Sequence, residues 1–331
     1  MNEEMNSLFE NHTYDLMKLP QGKKALKNKW IEQLDVKTAF LHGDLEEEIY
    51  MELPEGFRVK GKEHLVCRLR KSLYGLKQAP RQWYKKFDSF MLSHDYTRTT
   101  SDHCVFVKQF SDGDFIILLL YVDDMLLVSH DMSKIAELKK ELSKSFAMKD
   151  LGPAKQILGM HISYDKSSGK IWLSQEKYIE KILDRFNMGN AKLVSSPLAS
   201  HFKLSSKQCP TSEKEKEEMK KVPYSSAVGS LMYAMVCTRP DIAHSIGVVS
   251  CFLSNPGKKH WNAVKWILSY LRGTFKVCLH FGTGKPELVG YTNADMAGDI
   301  DSRKFTSGYL MTFAGGAISW QSRLQNKPAE K

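Results

Sequence analysis

Residues 115–129 decide the fold class: Phe115-Ile116-Ile117-Leu118-Leu119-Leu120-Tyr121-Val122-Asp123-Asp124-Met125-Leu126-Leu127-Val128-Ser129. The apolar run before the aspartates has the length and composition of a buried strand. Met125 to Ser129 reads as a second, shorter strand. With only Asp123-Asp124 between them, the pair predicts a β-hairpin with two carboxylates at its tip. Aspartate is a common turn residue, so an ordinary turn is one reading of the pair. The other is chemical. Two like charges at the end of a hydrophobic strand repel and push each other's pKa upward. A divalent cation relieves that cost, and hard oxygen ligands favour Mg²⁺ with its retained waters and substrate phosphates.

Holding two such ions requires a third carboxylate. Asp35 is the best candidate, within Leu34-Asp35-Val36 and just ahead of Ala39-Phe40-Leu41. It lies 88 positions before Asp123. The two meet only if distant strands lie side by side in one antiparallel sheet.

The rest of the chain supplies such a sheet and its helices. A helix is expected after Pro80, with Trp83, Phe87, Phe90 and Met91 on one face. Residues 133–148 read as an amphipathic helix capped by Ser133, with Ile135, Leu138, Leu142 and Phe146 as its stripe. A strand at 171–174 leads into a helix over 178–186. The run TSEKEKEEMKK, residues 211–221, is charged on all sides and reads as an exposed helix or linker and a domain boundary. Thr238-Arg239-Pro240 opens another helix. Residues 260–271 form one more, with Trp261, Val264, Ile267, Leu268 and Leu271 aligned. Residues 288–320 return to short strands.

Composition narrows the classes. The 331 residues are 42% hydrophobic and 26% charged, which excludes a mostly disordered or collagen-like chain. The eight-residue run 115–122 is too short to span a bilayer. The opening Met1-Asn2-Glu3-Glu4 has no apolar leader. An intracellular, non-secreted protein without membrane association is expected, its compartment open between cytoplasm and nucleus. The six cysteines form no CxxC pair and read as reduced thiols. A formal charge of +10 suits phosphate neutralisation on a nucleic acid as well as a lysine-rich surface. Gly282-Thr283-Gly284-Lys285-Pro286 lacks the phosphate-loop spacing and reads as a turn.

Longer motifs then follow in order. Residues 33–45 (QLDVKTAFLHGDL), 51–57 (MELPEGF), 71–84 (KSLYGLKQAPRQWY), the Tyr121-Val122-Asp123-Asp124 box and 146–160 (FAMKDLGPAKQILGM) resemble the reverse transcriptases of copia-type retrotransposons, plant elements above all. Residues 224–235, 238–243 and 252–274 resemble that family's connection region. The resemblance covers essentially the whole chain.

It implies an α+β fold: a polymerase palm, an antiparallel sheet with helices on one face, followed by thumb and connection helices and a partial ribonuclease H-like α/β segment. It implies an RNA-directed DNA polymerase using two Mg²⁺ ions, Mn²⁺ being an alternative, with an RNA or DNA template-primer and deoxynucleoside triphosphates as partners. Asp35, Asp123 and Asp124 would hold the metals. Phe40 would gate against a ribose 2′-hydroxyl, besides any role as a core aromatic. Tyr74, Gly75, Lys77, Gln78, Tyr121 and Val122 would line the substrate site. Lys77 and Arg81 would touch phosphate or belong to a solvated helix face. Leu158, Gly159 and Met160 would grip the primer end.

The resemblance also implies gaps. It runs to Leu26-Lys27-Asn28-Lys29-Trp30-Ile31 and jumps to Glu32-Gln33-Leu34-Asp35, where complete members carry several dozen residues of fingers. Residues 1–31 would then be a fingers remnant, 32–190 the palm and the start of the thumb, 191–222 a linker, 223–287 the connection and 288–331 a truncated ribonuclease H-like segment. Asn293 stands where that segment's first catalytic aspartate is usual, and the chain ends before its later acidic residues, so no ribonuclease H activity is expected. The alternative to a working polymerase is a degenerate, non-catalytic remnant, inert or binding nucleic acid non-specifically. Lys258-Lys259-His260-Trp261 with Lys265 and Arg272 is a candidate contact face for it, or an ordinary basic helix surface.

Overall fold

A computed structural model describes residues 30–53, 56, 64–165, 167–295 and 299–328. Residues 1–29 and the Pro54, Glu55 and Phe57 part of the MELPEGF motif lie outside the described residues. The chain divides into two compact units between Pro153 and Ala154.

The first unit is built on the expected sheet. Strands β1 (Trp30–Val36), β2 (Tyr50–Glu52), β3 (Val66–Arg68), helix α1 (Ala79–Ser93), β4 (Thr97–Arg98), β5 (Val105–Gln109), β6 (Phe115–Tyr121), β7 (Asp124–Ser129), helix α2 (Met132–Ser145) and β8 (Met148–Pro153) follow in order. Six strands form one antiparallel sheet in the order β4-β5-β6-β7-β1-β8, while β2 and β3 make a separate ribbon. Side chains alternate across a strand, so one face of each is apolar. Leu34 and Val36, Ile116, Leu118 and Leu120, and Met125 and Leu127 are all buried on that face. They share a core with Trp83, Phe87 and Met91 of α1 and Ile135, Leu138 and Leu142 of α2. The stripes read from the sequence are the buried faces.

Two details differ from expectation. The hairpin turn is Val122-Asp123, because Tyr121 pairs with Asp124 and makes the latter the first residue of β7. A two-residue turn closes the ladder one position earlier than the apolar run suggests. The cap of α2 is Asp131, not Ser133: its carboxylate accepts the Ser133 backbone N–H at 2.8 Å and the Ser133 hydroxyl at 2.6 Å. A charged acceptor at the positive helix end outcompetes the hydroxyl.

The second unit holds β9 (Gln156–Ile157), β10 (Met160–Asp165), β11 (Lys170–Ser174), α3 (Glu176–Arg185), α4 (Glu213–Lys220), α5 (Tyr224–Thr238), α6 (Ala243–Ser250), α7 (Lys258–Thr274), β12 (Leu279–Phe281), β13 (Leu288–Asp295), β14 (Lys304–Phe313) and β15 (Gly316–Pro328). Strands β12-β11-β10-β9 form one sheet and β13-β14-β15 another. The core joins Ile179, Ile182 and Leu183 of α3 to Leu231 of α5, Ile246 of α6 and Val264, Ile267, Leu268 and Leu271 of α7. Helix α4 is the charged stretch, opened by a Ser212–Glu215 capping box and burying only Met219. The division of the chain falls well before it, since α3 packs with α5 and α7 in this unit. Pro240 opens a 3-10 turn, Pro240–Ile242, that leads into α6. The last three strands are 8, 10 and 13 residues long, longer than the short strands expected over 288–320.

Candidate active site

The sheet register pairs Asp35 with Asp124, and Asp123 is the turn residue next to Asp124. In the β1–β7 ladder Asp35 stands opposite Asp124, next to the pair Leu34–Met125. Leu34 and Met125 face the core, so Asp35 and Asp124 emerge together on the opposite face. Asp123 follows in the turn, and its carbonyl accepts the Val36 backbone N–H at 2.9 Å. This bond stitches the hairpin tip to the residue after Asp35.

Gln33 lies two positions before Asp35, on the same face. Its Nε2 donates to Asp124 Oδ1 at 3.3 Å. Asp124 is half-buried and its pKa is raised. Desolvation is the main cause, Gln33 opposes it, and the neighbouring charges of Asp123 and Asp35 add to it. These carboxylates therefore feel one another. On the other side of β1, Asp35 is paired with Lys149 of β8, which is exposed.

The turn is strained. Val122 has φ 57°, and only the first central position of the turn is positive, the pattern of a type II′ hairpin. Glycine suits that position. A β-branched residue there costs on the order of 1–3 kcal/mol. The Val122 carbonyl accepts the Trp83 indole N–H at 2.6 Å. Tyr121 and Val122 are both exposed.

The other expected site residues of this unit lie on or before α1. Phe40 sits in a 3-10 turn, Ala39–His42, half-buried against the core, with its ring 4.9 Å from the ring of exposed Tyr74. It fits the core role and leaves its gating role open. Gly75 has φ 95°, a conformation that suits glycine. Lys77 is exposed, and Gln78 at the N-cap of α1 donates to Glu47 Oε1 at 3.0 Å. The 3-10 turn approaches α1 so closely at Gly43 that a Cβ there would meet Gln82 Cβ at 2.9 Å.

Leu158, Gly159 and Met160 belong to the second unit. Leu158 and Gly159 form the β9–β10 turn, with φ 48° and 72°, and Met160 opens β10. The Tyr233 hydroxyl donates to the Leu158 carbonyl. Asn293 and Asp295 are exposed on β13, while Asp299 accepts the Ser302 backbone N–H in a loop. The Gly282–Pro286 stretch is a turn whose first three N–H groups converge on the Ala314 carbonyl. In the basic stretch of α7, Lys258 pairs with Glu218 at 2.6 Å. His260 is buried there and stacks on Phe252, so it is no part of an exposed contact face.

Sequence reading missed Gln33, Lys149 and the Trp83 N–H. Gln33 was accessible from strand alternation. Lys149 required the β1–β8 register, and the Trp83 bond required the packing of α1.

Residues 12–200 match the family model described as reverse transcriptase (RNA-dependent DNA polymerase). The chain belongs to the reverse transcriptase family. It is 61% identical to the retrovirus-related Pol polyprotein from transposon TNT 1-94 of Nicotiana tabacum, over 98% of this chain and 29% of that protein. Identity to the Pol polyprotein from transposon RE1 of Arabidopsis thaliana is 38%, over 91% of this chain and 20% of the relative. A putative transposon Ty5-1 protein of Saccharomyces cerevisiae is 32% identical over 88% of this chain and 92% of its own length. The reverse transcriptase is thus of the copia type found in plant retrotransposon Pol polyproteins, and it spans less than a third of the first two relatives. The tobacco alignment runs over 383 positions but takes in 98% of the 331 residues of this chain, about 324, so about 59 positions of it have no counterpart here. No helix among the described residues is long and apolar enough to cross a membrane.

Proposed function

We propose that this chain carries the RNA-directed DNA polymerase centre of a copia-type Pol polyprotein, adding deoxynucleotides to a primer 3′-hydroxyl on an RNA or DNA template. The observation that carries the reading is the register that sets Asp35 opposite Asp124, with Asp123 bonded through its carbonyl to Val36. Residues 88 positions apart converge at one hairpin tip, on the sheet face away from the helices. Residues 32–190 are then palm and the start of the thumb, 191–222 a linker, 223–287 connection and 288–331 the start of a ribonuclease H-like segment. Residues 1–31 are what is left of the fingers.

The donor set fits Mg²⁺ in its chemistry. Asp35, Asp123 and Asp124 are hard oxygen donors, and the pKa of Asp124 is raised first by desolvation and then by the charges of Asp123 and Asp35, costs that a bound cation would relieve. Among the described residues no three His, Cys, Asp or Glu side chains stand as a closed ligand cluster. Like charges spread apart, and Mg²⁺ ordinarily takes part of its shell from water and substrate phosphate. Two bound ions would lower the pKa of the primer hydroxyl and neutralise charge on the leaving pyrophosphate. Mn²⁺ offers the same coordination chemistry.

The chain's own groups do the rest. Gln33 donates to one oxygen of Asp124, which would leave the other for a cation. Tyr121 and Val122 offer an exposed surface to the primer end. Phe40, backed by Tyr74, would stand beside the sugar of the incoming nucleotide. Gly75, Lys77 and Gln78 lie ahead of α1, where the template base and triphosphate would pass. Leu158, Gly159 and Met160 would bear on the primer strand. Asn293, neutral where an acidic ligand is usual, argues against ribonuclease H activity.

A second reading, a remnant that binds nucleic acid without turnover, is favoured by the roughly 59 positions of the tobacco alignment that have no counterpart in this chain. If that gap falls within the fingers, as the resemblance implies, it would remove cations that neutralise and position the triphosphate, worth several kcal/mol. Primer extension on an RNA template with Mg²⁺, beside Asp123→Asn, separates the two. The polymerase reading expects extension that falls at least about a hundredfold in the variant, as loss of a metal-binding charge implies. Folded wild-type chain that binds primer-template but never extends it establishes the remnant instead.

A further inference from the structure

The Val122-Asp123 turn is an expensive conformation with, among the described residues, one side-chain hydrogen bond to its main chain from outside its own sheet. The donor is Trp83. Its side chain is buried in the core of the first unit, and its ring meets those of Phe146 at 5.3 Å, Phe87 at 5.5 Å and His42 at 5.9 Å. Only its N–H leaves this apolar setting, and it ends on the Val122 carbonyl at 2.6 Å. A buried indole N–H needs an acceptor, and a main-chain carbonyl turned by a positive φ supplies one. Each group satisfies the other.

We propose that Trp83 is a positioning residue of the candidate active site: its indole N–H holds the Val122 carbonyl and so keeps the turn in the conformation that presents Asp123 and Asp124 beside Asp35. The proposal deepens the polymerase reading and, for its catalytic meaning, rests on it. The geometry gives the reason. Sheet hydrogen bonds fix Asp124 through β7, and the Val36 N–H fixes the Asp123 carbonyl. The peptide joining Val122 to Asp123 is the link those bonds leave open. Relief of the positive φ turns Val122 about its N–Cα bond and swings its carbonyl, which would shift the Asp123 that follows away from Asp35. The Trp83 bond opposes that rotation at the carbonyl that would move. Because Trp83 is locked by aromatic rings from α1, from the 3-10 turn and from Phe146 after α2, the anchor is rigid.

The second unit repeats the arrangement with different chemistry. Leu158 also has a positive φ, and its carbonyl accepts a hydrogen bond from an aromatic side chain on a helix, Tyr233 of α5. In each unit a turn expected to meet the primer end has a bulky residue where glycine fits better, and an aromatic donor holds it.

The test removes the N–H and little else. Trp83→Phe keeps most of the ring contact. A benzothienyl-alanine at position 83 alone keeps the full shape and replaces N–H by sulfur, so it decides the matter if the phenylalanine variant fails to fold. Amide hydrogen exchange is read at Val36 and over residues 119–126 of the full chain, and Mn²⁺ binding is titrated in parallel. Loss of one hydrogen bond should speed exchange at these amides roughly three- to tenfold and weaken Mn²⁺ binding by a similar factor. Phe87→Leu, which loosens the same core but keeps the bond, should leave the tip at its wild-type rate relative to the rest of the unit. Adding Val122→Gly to the benzothienyl variant should return tip exchange towards wild type, since glycine takes a positive φ without restraint. Unchanged exchange in the benzothienyl variant overturns the proposal. So does loosening that glycine fails to reverse, or loosening without weaker Mn²⁺ binding in a chain that binds it. If wild-type protein neither binds Mn²⁺ nor extends a primer, the polymerase reading falls, while the exchange rates still decide whether Trp83 holds the turn.

Discussion

Gly43→Ala is a change of one methyl group whose sign the structure determines. Gly43 has φ −66° and ψ 136°, an ordinary extended conformation, so alanine brings no backbone strain. In open space the substitution would stabilise the chain by about 0.4–1 kcal/mol, because the unfolded state loses freedom. Space is what is missing. The added Cβ would lie 2.9 Å from Gln82 Cβ, 3.0 Å from the Trp83 backbone nitrogen and 3.1 Å from the Gln82 carbonyl carbon. These atoms are the backbone and first side-chain carbon of α1, which cannot rotate away. The 3-10 turn must back off by about half an ångström, and overpacking of this kind typically costs about 1–3 kcal/mol. The net expectation is a loss of about 1–2 kcal/mol, or roughly 5 °C in the melting temperature of a unit this size. Thermal and urea unfolding followed by circular dichroism measure it. Because the displaced turn carries Phe40 and abuts Trp83, primer extension should fall further than the folded fraction accounts for. An alanine variant as stable as wild type, or more so, would refute the close-packed junction.

Two further expectations concern the second unit. Arg239 is fully buried and donates to Asp241 through Nε at 2.9 Å and Nη2 at 2.7 Å, with Thr274 taking two more bonds. Asp241→Ala leaves that guanidinium without its counter-charge and should cost about 3 kcal/mol at neutral pH, measured by urea unfolding. Burial alone would raise the Asp241 pKa, but the Arg239 hydrogen bonds and charge override it and hold the carboxyl below its ordinary 3.8. The stability this pair contributes is therefore complete above that value and lost as pH falls through the lower folded-state pKa. The gap between wild type and variant should narrow as pH falls below 3.8, and a gap that stays constant throughout the acid range would contradict the assignment. Tyr233→Phe should weaken binding of a primer-template by roughly three- to tenfold, the worth of one hydrogen bond, with little change in melting temperature. Equal affinity in a fluorescence anisotropy titration would remove Tyr233 from the primer-facing turn.

What the sequence disclosed follows from the range of the forces involved. The sheet and helices of the first unit were legible because burial imposes a period: Leu34 and Val36, or Ile135, Leu138 and Leu142, announce a face within a few residues. The carboxylates were legible because charge at the end of an apolar run is conspicuous, and the ordered motifs tied Asp35 to them. Turn register was not legible. Nothing in the string Tyr121-Val122-Asp123-Asp124 says which two residues close the hairpin, since the ladder hydrogen bonds decide and valine is a poor choice for the place it takes. Nor was the cap of α2, where Asp131 and Ser133 compete for one helix end. The division at Pro153 escaped because the charged run at 211–221 marks a solvated helix, whereas a boundary between compact units is set by which cores the flanking helices join.

The contacts that shape the candidate site are mostly main-chain contacts, and this bears on how the carboxylates work. Asp35 is placed by ladder pairing on both sides of β1, Asp124 by its pairing with Tyr121 and Asp35, and Asp123 through its carbonyl to Val36. Of the three side chains, Asp124 alone has a protein hydrogen-bond donor at its carboxylate among the bonds described, and that donor is neutral Gln33. An arginine or lysine pair at these oxygens would fix them more firmly but would compete with any cation for the same lone pairs. Backbone anchoring avoids the competition: the sheet sets the Cα positions while the side chains keep freedom to turn. The same logic explains why the anchor of the Val122 turn is an uncharged indole. A cationic donor at that carbonyl would place a positive charge beside the carboxylates and weaken the hold on a divalent ion that the polymerase reading assigns them. Trp83 fixes the peptide without altering the field.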